Sequence, residues 1–143
     1  MADIYIYPCN INFYDVTNHF YHSNDIIWRK TAHISKGDIV YIYVGKPYLE
    51  VKYKCTVVEE MIDGAILQKN LYAIPKGKIA DKSTYMKMEL ECIFPDGTFT
   101  LPDLKRCGMR QFMVPMHAPA SLVDFFISTE RKLCLVGGDT DAD

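Results

Sequence analysis

The sequence predicts an α+β domain: a small, mostly antiparallel sheet curled into a β-barrel and flanked by short helices. Three observations carry this expectation. Residues 38–44 form an almost unbroken apolar run, as in a strand buried on both faces. Residues 50–58 and 85–94 alternate apolar and polar side chains, the period of a half-buried strand. Turn signals bound these runs at Lys36-Gly37-Asp38, Gly45-Lys46-Pro47 and Pro95-Asp96-Gly97, while helical spacing is confined to short stretches.

Taken in order, Ile4 and Ile6 alternate with Tyr5 and Tyr7, which predicts a first strand over 3–7 that Pro8 ends. Asn12 is a candidate helix cap with Asp15 three residues on, and Phe13, Val16 and Phe20 fall on one face of a short helix. Ser23-Asn24-Asp25 breaks it, and 28–35 reads as irregular or briefly extended. The apolar run 38–44 then forms a hairpin with 50–58, in which Val51, Tyr53, Cys55 and Val57 face inward and Glu50, Lys52, Lys54 and Thr56 outward. Residues 61–82 are undecided: 65–67 suit a strand or a helix, and 74–81 reads as a polar loop. In the next strand Met86, Met88, Leu90, Cys92 and Phe94 share a face. Thr100, Pro102 and Asp103 open a short helix that Gly108 closes. A last strand is expected over 111–116 and a final helix over 121–129.

The chain has 143 residues, 49% of them hydrophobic, which suits one domain with one core. That domain is read as 1–136, with 137–143 a flexible acidic tail. No run approaches the roughly 18 apolar residues that cross a bilayer, and the first residues lack the pattern of a signal peptide. Five cysteines without CxxC spacing argue against a disulfide framework or a zinc knuckle; Cys55 and Cys92 are expected to pack as small hydrophobes, and the compartment is read as cytoplasmic. A net charge of −2 argues against a generic duplex coat, which needs many phosphate contacts. It leaves room for a protein that reads one base.

The sequence offers no case for catalysis or for a cofactor. It contains no GxSxG, P-loop, GxGxxG or HExxH pattern. His19 and His22 share a helix face at i, i+3, but no third ligand accompanies them, so they read as exposed helix residues rather than a metal pair. Glu59 and Glu60 adjoin on a strand pattern and face opposite ways, which prevents joint acid–base work.

Three segments together resemble the EVE branch of the PUA-like superfamily. They are Ile6-Tyr-Pro-Cys-Asn10 with Phe13-Tyr14-Asp15-Val16; Trp28 with its polar stretch into Lys36-Gly37-Asp38-Ile-Val-Tyr-Ile-Tyr-Val-Gly45-x-Pro47; and Val51-x-Tyr53-x-Cys55-x-Val57. The tail, 104–108 and then 111–119 with a closing helix, is similar to how such domains finish, so the resemblance spans nearly the whole chain. It implies a PUA-like, mostly antiparallel β-barrel that reads a nucleobase without catalysis. It looks most like bacterial EVE-like modules near restriction and defence genes, which implies 5-methylcytosine or 5-hydroxymethylcytosine in DNA as the ligand. Other superfamily members, the YTH and ASCH domains among them, bind RNA or modified RNA, so an RNA-binding module is the first rival and an ASCH-like nuclease the second. No nuclease or motor domain lies within the sequence, so effector function is expected of a partner.

A modified base must leave the duplex stack before its face and edge can be read, and the pocket needs an aromatic wall and a few edge contacts. Candidates for that pocket are Pro8, Asn10, Tyr14, Trp28, Tyr43, Gly45 and Tyr48. Trp28 suits a wall or a core anchor equally well. Asn10 can meet a base edge or simply serve the turn, Gly45 permits close backbone approach, and Tyr48 is a second stacking candidate. Arg29, Lys30, Lys46, Arg110 and Gln111 are the candidate phosphate contacts. Lys52 and Lys54 share the outward face of their strand and read first as solvated charge.

Overall fold

The computed structural model describes residues 3–9, 15–29, 33–63, 84–110 and 114–141. They form an α+β domain in which six strands and three helices follow in the order β1 (Ile4–Cys9), α1 (Val16–His22), β2 (Asp25–Arg29), β3 (Ile39–Val44), β4 (Glu50–Asp63), β5 (Thr84–Ile93), α2 (Leu101–Arg106), β6 (Met116–His117) and α3 (Ala120–Asp141). The strands make one mixed sheet in the order β2-β5-β4-β3-β1-β6. Only β1 and β3 run parallel; every other pair is antiparallel. The described sheet is therefore mostly antiparallel, as expected, but β2 and β6 stand at opposite edges and it does not close into the expected barrel. No helix among the described residues is long and apolar enough to cross a membrane.

The sheet buries apolar residues on both faces, and strand alternation assigns them. On one face Tyr5, Tyr7 and Cys9 of β1, Val40, Ile42 and Val44 of β3, and Met86 and Met88 of β5 pack with Val16 and Phe20 of α1. On the other, Ile6 of β1 and Tyr41 and Tyr43 of β3 pack with Leu104 of α2 and Leu122 and Phe126 of α3. Burial on both sides explains why 39–44 reads as an unbroken apolar run.

Two β-bulges correct the expected alternation. Ile42 pairs with Tyr53 but Tyr43 pairs with Val51, which leaves Lys52 as an extra residue in β4. Val51 consequently joins the α2–α3 face, while Tyr53, Cys55 and Val57 stay on the α1 face. Lys54 pairs with Cys92 and Cys55 with Leu90, so Glu91 is the extra residue in β5. Met86, Met88 and Leu90 thus face the α1 side, and Cys92 and Phe94 the other.

Strand limits differ from the expected ones for definable reasons. β1 runs through Pro8 to Cys9. Ile4 O accepts from Ala118 N on the β6 side and Cys9 O accepts from Gly45 N on the β3 side, so Pro8 turns its missing N–H toward β6. β6 reaches only Tyr5 and Ile6, and no ladder bond is lost at Pro8. Asp25–Arg29, read as a helix break followed by an irregular stretch, is an edge strand paired with β5. Residues 111–113 of the expected strand over 111–116 lie outside the described residues; in what is described, strand is confined to Met116–His117, and α3 continues past Thr129 to Asp141. α1 begins at Val16, where Asp15 O accepts from His19 N. The proposed cap Asn12, the stretch 65–67 and the loop 74–81 lie outside the described residues.

Candidate nucleic-acid interface

The C-terminal ends of β1 and β3 and the turns 45–48 and 95–98 meet at one end of the sheet. Gly45 N donates to Cys9 O at 3.0 Å, and Tyr48 N donates back to Gly45 O at 3.0 Å. This folds the turn over the end of β1, with Lys46 and Tyr48 exposed on it. The bulge residue Lys52 places its Nζ 5.3 Å from the centroid of the Tyr48 ring. The same ammonium is paired with Asp96 of the facing turn; the Lys52 side chain is only 9% exposed and Asp96 is 88% exposed. Burial disfavours the ammonium, but the hydrogen bond to Asp96, its charge, and the nearby Glu50 and Tyr53 outweigh that and hold Lys52 above its ordinary range. Glu50 accepts from Gly97 N at 3.0 Å and ties the two turns together.

Of the described pocket candidates, Pro8, Tyr43, Gly45 and Tyr48 lie at this end and Trp28 does not. Pro8 and Tyr43 are register partners, and Tyr43 is buried in the α2–α3 face, where desolvation raises its phenol. Trp28 lies on the edge strand β2 opposite Met86 and packs against the α1-side cluster, on the other face of the sheet from Tyr43. Gly45 and Tyr48 share the turn, and among the described residues Tyr48 is the one expected pocket aromatic that is exposed. Asn10 and Tyr14 lie outside the described residues.

Among the expected phosphate contacts, Lys46 is exposed beside Tyr48, and Arg110 is exposed on a groove at the far side of α2. Lys30, Gln111 and the side chain of Arg29 lie outside the described residues. Lys52 and Lys54 are not solvated charges. Lys54 Nζ donates to Glu130 Oε1 at 2.8 Å beneath α3, and both side chains are about four-fifths buried. Tyr41 donates its hydroxyl to the other oxygen of Glu130. Nothing local marked this cluster: Glu130 lies 76 residues from Lys54, and only packing of α3 on the sheet joins them.

His19 is engaged through Nε2 with Asp25 O at 2.6 Å, which links α1 to the start of β2. Cys55 is buried in the α1-side cluster and Cys92 packs against the other one, as the strand patterns predicted.

No protein-family model matches the sequence, and no curated protein matches it. Solved structures do. The ASCH protein of Zymomonas mobilis superposes with a TM-score of 0.64 at 9% identity, over 88% of this chain and 94% of that one. A protein from Pseudomonas syringae gives 0.60 at 12% identity, over 87% and 97%. A hypothetical protein from Leishmania major gives 0.59 at 16% identity, over 93% and 98%. At these identities the likeness shows the fold alone: the chain has the fold of the ASCH structure.

Proposed function

We propose that this chain is a non-catalytic nucleic-acid-binding module that holds one unstacked base at the sheet end, on RNA or another single strand. The observation that carries this reading is Tyr48: an aromatic ring exposed on a tied turn, beside the exposed Lys46 and backed by Lys52. An aromatic platform next to a cation is the arrangement that single strands use, because every base has a π-face. A net charge of −2 fits a small phosphate footprint better than a duplex-spanning one. The likeness to an ASCH structure supports RNA over DNA by analogy of fold, which is weaker support than the site itself.

The test is fluorescence anisotropy at low salt with short single-stranded RNA, matched DNA, and duplexes carrying cytosine, 5-methylcytosine or 5-hydroxymethylcytosine. Single strands are expected to bind more tightly than duplexes. Tyr48→Ala is expected to weaken that binding about tenfold or more, from a stacking contribution of about 1–3 kcal/mol. Trp28→Ala, on the edge strand, is expected to change it less. Tightest binding to one modified duplex would restore the EVE-type reading of modified cytosine, and no binding to any member of the set would overturn both.

A further inference from the structure

A second concave feature lies where the end of α2, the strand β6 and the start of α3 meet. It is an open groove of about 410 Å³ lined by Gly108, Arg110, Met116, His117, Pro119 and Ser121. Its back wall is a fixed junction. Met109 N donates to Leu104 O at 2.9 Å and Gly108 N to Lys105 O at 3.2 Å, which closes α2 in a Schellman turn. Ser121 Oγ then donates to Cys107 O at 2.6 Å and staples the first turn of α3 to the end of α2.

Arg110 and His117 bring donors to the groove, while the Ser121 hydroxyl has committed its proton to Cys107 O. Arg110 is exposed on the groove, and among the described residues no carboxylate pairs with its guanidinium. His117 faces Tyr5 edge-on at 5.1 Å, with Nε2 3.7 Å from Asp3 Oδ1. The imidazole keeps at least one N–H donor in either protonation state. In α3, Leu122 N and Val123 N both donate to Pro119 O. Ala120 and Ser121 precede those bonds, so the positive end of this helix opens beside Pro119 on the groove wall. Asp3 opposes an anion there, but its side chain is 60% exposed and its charge is correspondingly screened. Met116 and Pro119 supply the apolar part of the lining.

We propose that this groove binds the phosphate group of a nucleotide-sized ligand, with the phosphate on Arg110 and the organic part on Met116 and Pro119. A guanidinium takes two oxygens in its planar fork. A phosphate monoester leaves a third oxygen for the α3 amides, which a carboxylate lacks. The volume lies within the range of small-ligand pockets, about 300–1,000 Å³. This site is separate from the Tyr48 turn and does not rest on the function proposed for it.

Backbone-amide NMR titration of the full chain tests the proposal, with cytidine 5′-monophosphate, cytidine and inorganic phosphate as probes. Cytidine 5′-monophosphate is expected to shift the amides of Gly108, His117, Ala120 and Ser121. Inorganic phosphate is expected to shift the same set more weakly, and cytidine to leave it unmoved. Arg110→Ala, an exposed change that keeps the fold, is expected to weaken binding about tenfold, and Arg110→Lys by less. Tyr48→Ala is expected to leave it unchanged. A trinucleotide with a 5′-phosphate, compared with its 5′-hydroxyl form, distinguishes a strand end from a free nucleotide as the source of the phosphate. Equal shifts with cytidine, no shift at these amides, or full binding by Arg110→Ala would overturn the proposal. Shifts confined to the Tyr48 turn would also overturn it, while leaving the proposed function intact.

Discussion

At the scale of single residues, the contact between Tyr41, Lys54 and Glu130 is where α3 meets the sheet through polar atoms. Tyr41 is enclosed: Phe126 stacks on it at 3.9 Å and Phe94 at 6.1 Å, with Phe99 edge-on at 6.4 Å. A phenol so placed needs an internal acceptor, and Glu130 supplies it; burial first, and the Glu130 carboxylate second, push the Tyr41 hydroxyl far above its ordinary range. Lys54, the cross-strand partner of Tyr41, balances the charge. Glu130→Ala orphans both groups and is expected to cost about 2–4 kcal/mol, with Glu130→Gln costing less, as read from urea midpoints. A double-mutant cycle with Tyr41→Phe is expected to be non-additive; additivity would show that the two side chains do not interact in solution. Lys52 gives the opposite pattern. Replacing a buried ion-paired lysine with Met is expected to change stability by less than about 1 kcal/mol. Asp96→Ala, although at an exposed carboxylate, is expected to cost more, about 1–2 kcal/mol, because it strands the Lys52 ammonium. If the two changes ranked the other way, Lys52 would be held by something other than Asp96.

At the scale of elements, what the sequence reveals depends on whether the signal is local. β3, its hairpin with β4, β5, the buried face of α1 and the short α2 ending at Gly108 all follow from periodicity and turn chemistry within a few residues. β2 does not, because it is held by β5, whose pairing residues lie about 60 positions further on, and because a five-residue strand leaves little alternation to read. The same long-range pairing decides which face Trp28 occupies, so its separation from Tyr43 could not be read locally. Bulges at Lys52 and Glu91 break a strict period of two, which is why residues that alternate cleanly in sequence divide between the two faces. Tyr48 and Lys46 were legible because a turn exposes its residues whatever the register. Gly108 allows a sharp test of an element junction. Its φ of +114° disfavours any side chain, and an added Cβ would lie 3.1 Å from Ser121 Oγ and 3.2 Å from Pro119 Cγ. Gly108→Ala is expected to cost about 1–3 kcal/mol. At Gly45 the Cβ would meet Cys9 O at an ordinary 3.6 Å, so Gly45→Ala is expected to stay within about 1 kcal/mol of the parent. Comparable losses at both sites would mean that the α2–α3 junction is not tight.

At the scale of the whole molecule, a sheet buried on both faces encloses weak acids that are neutral only while protonated. Burial raises the Cys9 thiol from 9.0 to about 12 and raises Cys55 further. Desolvation raises Tyr43 and Tyr53 as well as Tyr41. In every case the folded-state pKa lies above the unfolded one, so the unfolded chain releases its proton first. The stability these groups contribute is complete below about pH 9 and is lost as pH climbs toward the folded values; the raised pKa of Lys52 acts in the same direction. Thermal midpoints are therefore expected to be level from about pH 7 to 9 and to fall steeply above that. Cys9→Ala removes one such group and is expected to make the stability decline between about pH 9 and 12 shallower by roughly 1.4 kcal/mol per pH unit, the value of one proton. A parent midpoint that rises with pH in that window, or an unchanged slope in Cys9→Ala, would show that the end of β1 is open to water rather than sealed by α1 and the 45–48 turn.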